Sequence, residues 1–316
     1  MSFQDPWNFS DIFVSRGLFA EYLISGKSEL QLSAIEYIQN IFLGVKEGKF
    51  VTDQLSFAVG NPVGAVRGRL SHTPWMILIG SMTLLLKHNV SDALELGIYI
   101  IRYILDNHVN MNGKWPNLKE YDYVEFINSN GDLWYTDGVV LSDPGHSLEF
   151  VGLASRFLSA AKSKNLWKLK KKQELEEITF VLFSVFHRNF TNGFNYESGG
   201  IVKLKDLITH SWLNREMPWW PLPETMRAAL GCYEIVQNDI DKAFCMESYS
   251  LCHNSFFGHY ITDNSPGMLA IQTRNSKGNT IDSIPAVPDA DPGYHTGLAL
   301  IDCIELINKI TEKSKI

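Results

Sequence analysis

The sequence predicts an all-α protein, a toroid of antiparallel helical hairpins. Apolar residues recur at helical spacing in paired segments joined by short turns. Between the pairs lie long stretches rich in Gly, Asn, Asp, Pro and Trp, which read as functional loops gathered around one pocket. The 316 residues are 45% hydrophobic, 12% aromatic and 20% charged, enough apolar surface for a sizeable core and unlike a disordered or fibrous chain.

The first hairpin runs through Ile12, Phe13, Leu18, Phe19, Tyr22 and Leu23, turns at Gly26 and Lys27, and returns through Leu32, Ile35, Ile38, Ile41 and Phe42. The rhythm recurs at Pro74 to Lys87 with Ala93 to Asn107, and at His146 to Ala161 with Gln173 to Phe190. Pro223 to Gln237 pairs with Lys242 to Tyr260, and a last helix spans Tyr294 to Ile310, about nine helices in all. The long loops are 109–145, 191–222 and 262–293. Alternation through Tyr121 to Phe126 and Gly131 to Tyr135 predicts a short β-hairpin turning at Asn130-Gly131. No Pro/Ser linker or charge run divides the chain, so residues 1–316 are expected to form a single domain. The basic run Lys168 to Lys172 is followed by Glu174, Glu176 and Glu177 and reads as a solvated helix start.

A formal charge of −7 leaves no basic field for a phosphate backbone or an anionic membrane, which excludes nucleic acid as a partner. The most apolar run, Trp75 to Leu86, is about a dozen residues against the ~20 that span a bilayer, so no membrane partner is expected. Cys232, Cys245, Cys252 and Cys303 show no zinc-like spacing, and a reduced, cytoplasmic protein without metal or other cofactor is the simplest expectation. Asp5, Asp11 and Arg16 stand where a signal peptide needs an apolar stretch, so the sequon-like triplets at Asn8, Asn89 and Asn189 read as chance. Gly26-Lys27-Ser28 resembles the end of a phosphate-binding loop, but Glu21 replaces its first glycine and the segment lies inside a helical hairpin.

Four segments carry candidate chemistry. In Asp143 to Phe150, Pro144-Gly145 breaks the loop and a helix begins near His146, placing His146 and Glu149 one turn apart on one face. A histidine opening on a pocket from a helix start can move a proton, with Glu149 orienting its ring or binding a hydroxyl; an ordinary capped helix fits the same residues. Asp291 to Leu300 repeats this grammar and puts His295 at the mouth of an apolar helix. Two such junctions present two imidazoles to one cavity, as a two-base proton transfer requires. In Met217 to Glu224, Trp219 and Trp220 lie between prolines in a loop, flat faces for the CH surfaces of a sugar, with Glu224 placed to bind hydroxyls. In Asn61 to Met76, Arg67, Arg69 and His72 are candidates for an anionic group, or solvent-facing loop residues.

These segments, in this order and over nearly the whole chain, resemble the N-acylglucosamine 2-epimerase family, whose members share an (α/α)6 barrel. Asp11 to Tyr22 with Gly26 looks like the family's Asp-x-Phe…Gly-Leu helix and turn, and Pro74 to Leu78 like its Pro-Met-x-Leu-Leu helix. Pro144 to Phe150 is similar to Pro-Gly-His-x-x-Glu, Trp219 to Glu224 to Trp-Trp-Pro-Gln-x-Glu, and Tyr294-His295 to the final aromatic-His motif. Relatives acting on free mannose or cellobiose tend to carry His at the position of Pro74, so Pro74-Trp75-Met76 leans toward the N-acylhexosamine branch.

The resemblance implies interconversion of N-acyl-glucosamine and N-acyl-mannosamine: after ring opening, one histidine removes the C2 proton to give an enediolate and the other returns a proton to the opposite face. His146 and His295 match that pair, and Glu149 and Glu224 match residues that bind the sugar or support the histidines. Leu222 replaces the family's Gln, and Gly297 lies near where the last motif usually has Arg. The family also has helices ahead of the segment matching Asp11, carrying an arginine for the substrate oxygen. The expectation is therefore a barrel incomplete at the N-terminus, without that arginine, whose first hairpin exposes apolar surface unless a second copy covers it in a homodimer. A homologue that binds sugar or a partner without catalysis is the alternative, followed by an α/α-barrel glycoside hydrolase using Asp137 and Glu224. Metal dependence through His146 and Glu149 lacks a third ligand of matching spacing.

Overall fold

A computed structural model describes residues 6–52, 66–164, 169–261, 271–283 and 293–313. Asn61 to Ala65 and the Asp291-Pro292 pair of the second histidine motif lie outside them. Among the described residues there are nine α-helices: α1 (Phe9–Ser25), α2 (Ser28–Lys46), α3 (Thr73–Lys87), α4 (Ala93–His108), α5 (Pro144–Ser163), α6 (Leu169–Gly193), α7 (Pro221–Ile235), α8 (Asp239–Ser255) and α9 (Ala299–Lys313). Each of α1, α3, α5 and α7 packs on the helix that follows it, and α1, α3, α5, α7 and α9 pack side by side in that order. This is an α/α barrel whose odd-numbered helices form the inner ring.

Sequence explains which helix goes where. On α5, Ser147 to Ala161 is buried at every position, and α7 is buried almost throughout, as helices surrounded by others must be. On α4 and α8 buried residues recur only on one face. The two central helices approach closely because the contact is lined by small residues: a Cβ on Gly231 would lie 2.0 Å from Ser155 Oγ, and one on Gly152 3.1 Å from Arg227 Nε. One apolar core runs from Ile12 on α1 to Leu306 on α9. The first hairpin is less covered, with Val14 and Ile24 on α1 and Leu32 on α2 exposed, as are Ile301 and Ile304 on α9.

The loops hold three small antiparallel sheets: β1 (Arg69–Ser71) with β2 (Phe126–Asn128); β3 (Leu141–Ser142), β4 (Leu204–Asp206) and β5 (Trp212–Asn214); and β6 (Met217–Pro218), β7 (Thr273–Arg274) and β8 (Thr280–Ile281). The chain does reverse at Gly131 (φ 81°), with an Ile127–Leu133 bridge, but the ladder of β2 is made with β1 and not with the segment after the turn. β1, β3 and β6 each lead, within three residues, into the start of an inner helix: α3, α5 and α7. The sheets therefore hold the N-terminal ends of the inner helices in place, and the candidate residues sit at those ends.

Candidate active site

His146 stands in the first turn of α5, which starts two residues earlier than expected: Pro144 occupies the first turn and Asp143 caps it, its Oδ1 accepting the Gly145 N–H at 2.9 Å. On the other flank of Trp220, Gly293 (φ 96°) turns the chain into a π-helical turn, Tyr294–Leu298, that carries His295 and runs into α9. Trp220 lies close to both imidazoles, its ring centroid 5.3 Å from that of His146 and 4.9 Å from that of His295, with interplanar angles of 33° and 36°. The two histidine rings can be no farther apart than the sum of those distances. They keep side-chain exposures of 23% and 28%, so neither ring is sealed within the core. Trp219 meets His295 edge-on at 6.3 Å.

Each imidazole is held at Nδ1 by a carboxylate. His146 Nδ1 is 2.9 Å from Glu125 Oε2, and His295 Nδ1 is 3.0 Å from Glu224 Oε1. With Nδ1–H donating to a carboxylate, proton exchange with a substrate falls to Nε2. Burial alone would lower the proton affinity of His146, but the Glu125 charge, aided by Asp143, overcomes it and raises the pKa to about 9. Burial acts against Glu125 ionising too, yet His146 and His72 together hold it well below the usual carboxylate range. Lys203 closes this side, its Nζ 2.7 Å from Asp143 Oδ2 and over the Trp220 ring at 5.2 Å.

Around His295 the charges are arranged differently. Glu224 is fully buried on α7 and ion-pairs with fully buried Arg227 one turn on, whose Nη1 is 3.6 Å from Asp302 Oδ2 on α9. Burial raises the Glu224 pKa, against the opposing pull of Arg227. Burial would lower that of Arg227, and Glu224 with Asp302 raises it instead. Tyr294 donates to Glu149 Oε1 at 2.8 Å, tying the turn of His295 to α5. Two sets, His72–Glu125–His146 and Glu149–Glu224–His295, each offer three potential metal-ligand atoms within 4.8 Å of one another; in the second, Glu224 already faces Arg227.

His146, His295, Glu224, Trp219 and Trp220 thus come together at one end of the ring, with Glu149 joined to them through Tyr294. Arg67 is exposed on the turn before β1, and no contact brings it to them. His72 is fully buried behind Glu125, which leaves its ring no surface to offer a ligand. Asp137 is exposed on a tight turn (φ 51°), unlike fully buried Glu224, a poor match for two carboxylates flanking one bond.

Sequence reasoning missed Glu125, Arg227 and Arg16. Arg227 stands three residues after Glu224 on one helix, a spacing that pairs opposite charges and was a readable signal, whereas Glu125 lay in the alternating stretch with nothing local to mark its role. Arg16, on α1, is a charge turned inward that the sequence reading did not single out. It projects from α1 to within 3.3 Å of where a Gly80 Cβ would stand on α3, and its buried Nη1 has no hydrogen-bond partner. Burial lowers its pKa, partly offset by Tyr294, while Arg227 adds to the lowering.

No family model matches the sequence, and no curated protein is similar to it. The fold is similar to that of a sugar epimerase from a ruminal bacterium (TM-score 0.67, 17% identity), with 95% of this chain covering 70% of that one. It is similar also to the cellobiose 2-epimerases of Spirochaeta thermophila DSM 6192 (TM-score 0.67, 12% identity, 95% of this chain and 70% of that one) and Bacillus thermoamylovorans B4167 (0.62, 12%, 93% and 70%). At these identities the likeness is one of fold.

Proposed function

We propose that this chain is a cofactor-independent sugar 2-epimerase that moves a proton at C2 with His146 and His295. The observation carrying this reading is the pair of part-exposed imidazoles flanking Trp220, each fixed at Nδ1 by its own carboxylate. The fold of the three sugar epimerases supports it.

In the proposed reaction the open-chain sugar meets the part-exposed imidazoles of His146 and His295, which Trp219 and Trp220, each 5% exposed, back from the core side. His295 takes the C2 proton at Nε2, the C1–C2 bond gains double-bond character, and the C1 carbonyl oxygen takes the charge as an enolate. His146, which carries a proton through neutral pH, returns one to the other face of C2. The imidazoles end with protonation exchanged, which is the starting state for the reverse reaction. The substrate pair we favour is N-acyl-glucosamine and N-acyl-mannosamine, from the resemblance at Pro74-Trp75-Met76.

The test is proton NMR in D2O with EDTA, following the C2 proton of N-acetylmannosamine, N-acetylglucosamine, mannose and cellobiose. Loss of that proton with appearance of the epimer is the expected result, abolished by His146→Ala and by His295→Ala. Exchange that survives both substitutions, or no exchange with any of the sugars, defeats the proposal; in the latter case calorimetric binding would favour the non-catalytic alternative.

A further inference from the structure

We propose that His72 is a positioning residue of this reaction, acting through Glu125 to hold the His146 imidazole in place; the inference rests on the function proposed above. Glu125 Oε2 stands between two imidazoles, 2.9 Å from His146 Nδ1 and 3.4 Å from His72 Nε2, while Oε1 accepts the Asp143 N–H at 3.0 Å. Glu125 belongs to a loop, just before β2, so these partners set its side-chain conformation.

His72 caps the start of α3, fully buried, with its ring edge-on to Tyr123 at 4.8 Å and to His108 at 5.4 Å. What lies behind it supplies no competing charge. His108 Nδ1 is 3.1 Å from the Val124 carbonyl, which can only accept, so the proton is on Nδ1. Burial, with His72 beside it, lowers the His108 pKa to about 3, leaving that ring neutral. The polar contact of His72 therefore runs forward from Nε2 to Glu125, while its buried Nδ1 makes no hydrogen bond.

The other histidine has a parallel arrangement. Glu224, which holds His295, is itself held from deeper in the ring by Arg227. Each imidazole is thus fixed by a carboxylate that is fixed in turn by a buried nitrogen donor: Arg227 on one side, His72 on the other. A residue needed only for packing would not have to aim Nε2 at the oxygen that holds His146.

His72→Phe keeps the ring volume and its edge contacts but removes the donor, and His72→Gln restores a donor near the position of Nε2. On the sugar whose C2 proton the wild type exchanges, His72→Phe is expected to lower kcat roughly tenfold or more with KM within about twofold, and His72→Gln to recover most of the loss. A higher KM at unchanged kcat, or equal losses in both variants, overturns the proposal. Imidazole 15N NMR, with His146→Gln for assignment, gives a readout that needs no sugar. The His146 Nδ1 resonance should be alike in wild type and His72→Gln and displaced in His72→Phe; an undisplaced resonance overturns the role of His72 whatever the sugar assay returns. A wild type without C2 exchange in which that displacement is nonetheless seen refutes the proposed function and leaves the His72–Glu125–His146 linkage standing.

Discussion

At Gly145 the missing side chain has a definite consequence. A Cβ there would lie 2.7 Å from Trp220 Cη2 and 2.9 Å from Pro221 Cγ, so the indole beside both histidines keeps its place because residue 145 is glycine. Gly145→Ala is therefore expected to push the indole out of position, costing about 1–3 kcal/mol of stability. Turnover should suffer more than folding; unfolding curves read beside the C2-exchange rate would check this, and an unshifted rate would mean that the indole does not position the imidazoles. Glu224 and Arg227 give a second prediction, because breaking a fully buried ion pair strands a charge. Glu224→Gln should cost about 3 kcal/mol, whereas Glu224→Gln with Arg227→Met should cost less than that single change. Denaturant unfolding of both variants decides it, and a double variant worse than the single would show that Arg227 is held chiefly by Asp302.

Among the elements, the helices were legible and the site was half legible. The apolar periodicity placed the hairpins within a few residues of their observed limits, because an inner or outer helix advertises its buried face locally. The Pro-Gly-His grammar pointed to the helix starts carrying His146 and His295 for a similar reason: helix initiation is a local event. Glu125 and Arg16 were not legible in this way. The role of Glu125 depends on meeting residues 18, 21 and 53 positions away, a juxtaposition made by strand β1 pairing with β2 and by β3 leading into α5. Arg16 is placed only by the adjacent inner helix, where it packs against Gly80 of α3. The same dependence on neighbours governs the α5–α7 contact. Gly231→Ala should destabilise by about 1–3 kcal/mol, since its Cβ would fall 2.0 Å from Ser155 Oγ. Ser155→Gly in the same chain should return part of that loss, and a double-mutant cycle without coupling would place the strain elsewhere.

For the molecule as a whole, a core continuous from Ile12 to Leu306 means that no helix pair can lose its packing without exposing its neighbours. We expect a single unfolding transition, with tryptophan fluorescence and far-UV circular dichroism coinciding; separated transitions would mean that the first hairpin is a unit of its own. The pH dependence of that transition follows from the Glu125–His146 pair. The folded-state pKa of His146 is raised from 6.5 to about 9, so its contribution is fully present below about pH 6.5 and is lost as pH rises through about 9. Glu125 is displaced the opposite way, so its contribution is present above the ordinary carboxylate range and fades as acid reaches its lowered pKa. The wild type should thus exceed Glu125→Gln in stability most clearly between those limits, and the gap should close on passing about pH 9. A gap constant from neutral pH to beyond that point would mean that the carboxylate stabilises the fold by packing or neutral hydrogen bonding, and that His146 does not enter the reaction carrying a proton.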